Sequence, residues 1–123
     1  MSDSEPRHYA VIDQYNRKLT LKYKGQILAE STNALILKEV AKTVYNPSFY
    51  FPKEDVKMEL ELEADRNSHC PIKGEATYWN LKDNPTDNYF AWSYDHPNPR
   101  SNKIKEMIAF NPEYITIMSE PIG

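Results

Sequence analysis

Between Val56 and Glu63 the chain reads Val-Lys-Met-Glu-Leu-Glu-Leu-Glu, an apolar residue at every second position with a charged one in each gap. On a helix, at about 100° per residue, Val56, Met58, Leu60 and Leu62 would scatter around the barrel; on an extended chain they line one face. The stretch therefore predicts a strand with one solvated, charged face. Glu59, Glu61 and Glu63 belong to that wet face rather than to a metal site, which needs carboxylates converging in a cleft. The same alternation runs through Lys18 to Tyr23, turns at Lys24-Gly25 and returns over Gln26 to Glu30, the pattern of a hairpin. After a polar turn at Ser31-Thr32-Asn33, Ala34 to Leu37 is apolar on both faces and predicts a buried strand.

The remaining segments favour strands as well. Val44 to Pro52 is dense in aromatics but broken by Pro47 and Pro52, each of which removes a backbone donor and restricts its predecessor, so a helix is excluded there. Lys53-Glu54-Asp55 predicts one short helical turn. Ala64 to Ser68 predicts a polar loop, and Glu75 to Leu81 a strand carrying Tyr78 and Trp79. Lys82 to Asn88, with Pro85, reads as a turn. Tyr89 to Tyr94 follows as a strand with Phe90, Trp92 and Tyr94 on one face. Asp95 to Pro99 ends it, and Ser101 is placed to cap a short helix over Asn102 to Lys105. Met107 to Phe110 and Tyr114 to Met118 predict a final strand pair across Asn111-Pro112-Glu113. About eight short strands at close spacing imply a mainly β domain: compact, sandwich- or barrel-like antiparallel sheets with one or two short helical turns. Residues 18–123 form that single domain. Residues 1–17, with isolated Tyr9, Val11, Ile12 and Tyr15, read as an N-terminal arm that packs on the body or on another subunit.

Composition narrows the functional classes. A chain of 123 residues, 40% hydrophobic and 12% aromatic, can bury one substantial core. A net charge of −3 supplies no basic stripe to displace phosphate counterions, so nucleic acid is not an expected partner. No apolar run approaches the roughly 20 residues of a membrane helix, and Met1 to His8 lacks the apolar core of a secretory signal. The single cysteine excludes a disulfide framework and fits a reducing compartment, so a cytoplasmic location is expected. Gly25, Gly74 and Gly123 are the only glycines and lie far apart. A P-loop or dinucleotide fingerprint, which needs clustered glycines so that backbone N–H groups can approach an anion, is absent.

The segment with the most chemistry is His69 to Asn80. Cys70 with His69 and Lys73 near it can be read as an activated thiol, or as an inert cysteine packed at the start of a strand. A relay would also need a separately placed histidine and carboxylate, and none is evident. His69, Cys70 and His96 make a poor metal set, because adjacent ligands on an extended chain point opposite ways; no metal site is expected. Lys73-Gly74 can hold an anion through its ammonium and exposed backbone donors, or can be an ordinary turn in which Gly74 supplies an unusual backbone angle. Several tyrosines on alternate faces suggest more than core packing, since a buried hydroxyl needs a partner. The candidate ligand-binding set is Tyr50, Cys70, Lys73, Tyr78, Trp92 and Tyr94, supported by Phe51 and Phe110, with Asp55 pairing near Lys73.

Three segments, in order, resemble a known family. Phe49-Tyr50-Phe51-Pro52-Lys53-Glu54-Asp55-Val56 is similar to its YFP-x-x-DV element. Cys70-Pro71-Ile72-Lys73-Gly74-Glu75-Ala76-Thr77-Tyr78-Trp79 is similar to CP-x-KG-x-A-x-YW. Ala91-Trp92-Ser93-Tyr94, followed by Ala109-Phe110, is similar to its AW-x-Y and late aromatic elements. The family is domain of unknown function family 427, and the likeness extends over roughly Leu19 to Ile117. It implies a small β-rich fold with a site at these motifs. Some members carry a nucleotidyltransferase-type label, for which this chain offers no clustered carboxylates or triphosphate donors at recognisable spacing. The leading expectation is a protein that binds a small ligand in an aromatic, lysine-containing cleft, with an anionic ligand as one option. One alternative is an enzyme using Cys70 or Lys73 as nucleophile, or nucleotidyltransferase-like chemistry. Another is a homo-oligomeric interaction module, a homodimer being one option. The residues leave the identity of any cofactor unknown.

Overall fold

Lys24 and Gly25 join the first predicted hairpin with φ of 50° and +82°, the two left-handed residues that a type I′ turn requires and that suit the twist of the flanking strands. A computed structural model describes residues 9–40, 46–70, 73–83, 85–86 and 89–122. In it, this hairpin joins β2 (Lys18–Tyr23) to β3 (Gln26–Ser31), after β1 (Tyr9–Gln14). There follow β4 (Leu35–Val40), β5 (Ser48–Pro52), β6 (Leu60–Cys70), β7 (Gly74–Leu81), β8 (Ala91–Ser93), β9 (Met107–Phe110) and β10 (Thr116–Glu120). Two 3₁₀ turns, Lys53–Asp55 and Pro99–Ile104, complete the described elements. The chain is mainly β. Seven strands form one sheet in the order β1-β4-β5-β9-β8-β7-β6 and three form another, β10-β2-β3, with every pair antiparallel. Residues 1–8 of the expected arm, Val44 and Tyr45 of the aromatic stretch, Pro71 and Ile72 of the cysteine motif, and Asn84, Asp87 and Asn88 of the expected turn lie outside the described residues.

The first core lies between the sheets. Leu19, Leu21 and Leu28 from the small sheet meet Phe51 and Ile108 from the large one and Phe90 just before β8. A register shift beside Leu21 sets Ala29 and Ile27 opposite consecutive β2 residues, which turns both Leu28 and Ala29 inward. A second core uses the other face of the large sheet alone, gathering Ile12, Leu37, Tyr50, Ala76 and Ala109 from five strands, with Tyr94 and Ile104. Curvature makes this possible. β4 and β7 are four positions apart in the sheet, about 19 Å if it were flat at roughly 4.8 Å per strand. Yet Lys73, beside β7, reaches Glu39 on β4 at 3.0 Å. The sheet therefore curls until β4 meets the start of β7, and among the described residues it does not close, for β1 and β6 each pair on one side only.

Several local expectations are corrected. Ala64 to Ser68 is not a loop but the middle of β6, which pairs with β7 across a register shift between Leu62 and Asn67. As an edge strand it needs one partner only, so most of its polar residues sit in water, while Glu63, expected on the wet face, and Arg66 are partly buried beside each other. β9 and β10 do not pair with each other; β9 lies between β5 and β8, whereas β10 joins β2 in the other sheet. Ser101 does not cap a helix. It sits inside the second 3₁₀ turn with φ −110° and ψ 18°, and Asn98 takes the N-terminal position, directly before Pro99. Phe90 does not share a face with Trp92 and Tyr94, because β8 starts only at Ala91; it enters the first core, whereas Trp92 and Tyr94 join the second. Residues 9–14 of the expected arm pair with β4.

Candidate functional site

The Lys73-Gly74 turn is shaped by a close approach of backbone. Gly74 has φ +108°, bridges to Pro97, and would bring a Cβ to 3.2 Å from both Asn98 N and His96 O. The Asn98 N–H donates to the Lys73 carbonyl at 2.9 Å. This clamp aims the Lys73 side chain back into the curl of the large sheet. Its ammonium lies 3.0 Å from Glu39 Oε1 and 5.4 Å from the centroid of the Tyr94 ring. The two charged side chains are only 13% and 15% exposed. Burial alone would lower the lysine's pKa, but Tyr50, Tyr94 and Glu39 together outweigh it and hold the group well above its ordinary value. Lys73 is therefore held as an ammonium facing Glu39. Its partner is Glu39, not Asp55, which ends the 3₁₀ turn after β5.

The other five candidates surround this pair. Trp92 Nε1–H donates to the Tyr50 hydroxyl at 3.3 Å, and the Tyr50 and Tyr94 rings lie 6.5 Å apart. Burial raises the pKa of both phenols, more than the nearby Lys73 lowers it. Tyr78 shares a 2.7 Å hydrogen bond with Ser68 and stacks edge-on with Tyr89. Cys70 is half-buried against the same core. The six residues thus converge on one face. Phe51 and Phe110, expected to support them, pack instead in the first core on the opposite face.

A second lysine–aromatic arrangement, which sequence reasoning missed, lies on that opposite face. Pro52 ends β5 and starts the 3₁₀ turn, which lifts Lys53 over the sheet. The Lys53 ammonium donates to Asp95 Oδ1 at 3.1 Å and sits 5.2 Å above the Trp79 ring. Trp79 Nε1–H donates to Ser93 Oγ at 2.9 Å, and the fully buried Ser93 donates on to the same Asp95 oxygen at 3.4 Å. The chain from indole to hydroxyl to carboxylate to ammonium fixes the ring as a wall. Beneath it Val56, Met58, Leu60 and Ile108 floor a pocket of about 190 Å³. Parity was the available signal: Tyr78 and Trp79 are neighbours on β7 and must face opposite ways. Nothing in the sequence tied Lys53 or Ser93 to Asp95.

Among the described residues no three His, Cys, Asp or Glu side chains are grouped to hold a metal, and no helix is long and apolar enough to cross a membrane. The model of a family described as a domain of unknown function (DUF427) matches residues 11–120. None of the curated proteins matches the chain.

Proposed function

The chain belongs to the DUF427 family, and from that premise we propose that it binds a small anionic ligand in the pocket under Trp79, with Lys53 receiving the anionic group. Two lysines compete for this role, and their surroundings decide between them. Releasing Lys73 from Glu39 would strand a charge in a nearly dry site, at a cost of about 3–5 kcal/mol. The Lys53–Asp95 pair is 39% and 33% exposed, a class of ion pair worth about 0–1 kcal/mol. An incoming carboxylate can share or take over the Lys53 ammonium at little cost, and Asp95 keeps its bond from Ser93.

The observation that carries the reading is the conjunction of that exchangeable ammonium, a fixed indole wall and an apolar floor. A pocket of about 190 Å³ lies below the ~300–1,000 Å³ usual for small-molecule sites. It suits a single ring or short chain and is too small for a nucleoside triphosphate. Within this reading Tyr50, Cys70, Lys73, Tyr78, Trp92 and Tyr94 are positioning residues that hold the sheet rigid behind the pocket.

The test is a fluorescence titration of the Trp92→Phe variant, whose remaining indole is Trp79, with phenylacetate and its neutral amide. Phenylacetate should quench Trp79 saturably, the amide at least tenfold more weakly. Lys53→Ala should remove the preference for the acid, and Asp95→Asn, which deletes the competing carboxylate, should strengthen binding. Loss of binding in Lys73→Met with retention in Lys53→Ala would move the site to the opposite face and overturn the proposal.

A further inference from the structure

We infer that the pocket under Trp79 is one end of a longer groove and that its ligand is an amphipathic carboxylate, held by its head at Lys53 with its alkyl chain laid across Met58. The inference rests on the site proposed above and extends it to a ligand class. Met58 lines both the Trp79 pocket and a second cavity of about 340 Å³, bounded by Tyr23, Gln26, Glu59 and Leu81. The alternation from Val56 to Leu60 lays an apolar track between the two. Its backbone is pinned by Lys57 N–H to the Leu28 carbonyl at 2.7 Å and by Lys82 N–H to the Glu59 carbonyl at 3.1 Å. The half-buried Met58 side chain is then the movable divider, and an unbranched thioether adapts to a neighbour at low cost. Joined, the two cavities fall within the usual ~300–1,000 Å³ for a small-molecule site, which the first alone does not reach.

Charge sets the direction. The Trp79 end offers an exchangeable ammonium. The far cavity is lined by two carboxylates, Glu59 and Asp83, matched by Lys24, which lies 5.4 Å over the Tyr23 ring, and by Lys82, which pairs with Glu59 at 3.3 Å. With no excess of ammonium there, a second anionic group gains nothing, so the ligand carries one head and an uncharged tail.

Calorimetric titration of the full chain with butanoate, hexanoate, octanoate and decanoate tests the length dependence. Each methylene newly buried should tighten binding about fourfold, and 1-decanol, lacking the head, should bind at least tenfold more weakly than decanoate. Gln26→Trp, at an exposed position lining the far cavity, should cancel the gain beyond hexanoate and leave phenylacetate affinity within twofold; Glu59→Trp provides the same block from the other side. Phenylacetate binding with no dependence on chain length, or length dependence untouched by both blocks, overturns the groove while leaving the Trp79 pocket standing. Failure of phenylacetate and of every acid to bind overturns both.

Discussion

Lys73 and Lys53 each hold an ammonium over an aromatic ring beside a carboxylate, and burial separates their roles. Besides Glu39, the ionisable neighbours of Lys73 include Tyr50 and Tyr94, both enclosed, with phenol pKa values raised chiefly by desolvation. The native state thus keeps its phenols protonated at a pH where the unfolded chain, with tyrosine near 10, releases them. Lys73, also raised, keeps its proton longer when folded. In all three the folded state binds more protons above about pH 10, so stability is fully present below that pH and falls as pH rises through it. Urea midpoints measured from pH 8 to 11.5 should decline steeply above 10, and Tyr94→Phe should flatten the decline relative to its own value at pH 8. A decline of equal slope in that variant would contradict the assignment. Lys73 was legible because a Pro-x-Lys-Gly turn is a local pattern. Lys53 was not, because its ring and its carboxylate come from β7 and from the residues after β8, and only the fold brings them together.

Alternation of apolar and polar residues made β2 and β3 legible, but Val56 to Glu63, the cleanest case, is strand only from Leu60 and leaves Leu62 exposed. That signal fades at edges and between sheets. The polar middle of β6 carries no apolar alternation, and β9 and β10, close in sequence, gain more by entering different sheets than by forming a hairpin. Turns are set by glycine in two distinct ways. Gly25 needs only its left-handed backbone, since a Cβ there would meet nothing within 4 Å, whereas Gly74 needs both its φ and its missing side chain against the backbone of 96–98. Gly25→Ala should therefore cost about 1–2 kcal/mol, the penalty of a left-handed non-glycine residue. Gly74→Ala should cost more than Gly25→Ala, because three backbone atoms lie within 3.3 Å of the added carbon and cannot move independently. Thermal unfolding of the two variants side by side checks the order, and equal losses would mean that the clamp on Lys73 yields freely.

Across the whole molecule, the large sheet separates two layers with different tasks. Its outer face shares the first core with the small sheet and carries the Trp79 pocket; its inner face curls around the second core and is fastened by Lys73 and Glu39. The fastening spans strands that no backbone ladder joins, so it stabilises a curvature that hydrogen bonding between neighbours does not specify. Removing one partner, in Lys73→Met or Glu39→Gln, should destabilise by about 3–5 kcal/mol, because the other polar group remains enclosed. Removing both should recover much of that loss, giving a coupling energy of at least about 2 kcal/mol in a double-mutant cycle. The two lysines share none of their described partners: Asp95 and Trp79 serve Lys53, Glu39 and Tyr94 serve Lys73. Lys53→Ala combined with Lys73→Met should then be additive within about 0.5 kcal/mol, and phenylacetate affinity should stay within twofold in Lys73→Met. Urea denaturation and titration of the same proteins measure both quantities. A Lys53–Lys73 coupling above about 1 kcal/mol would exceed what independent sites show; it would mean that the sheet transmits strain from one face to the other and that the pocket is tuned by the clasp behind it.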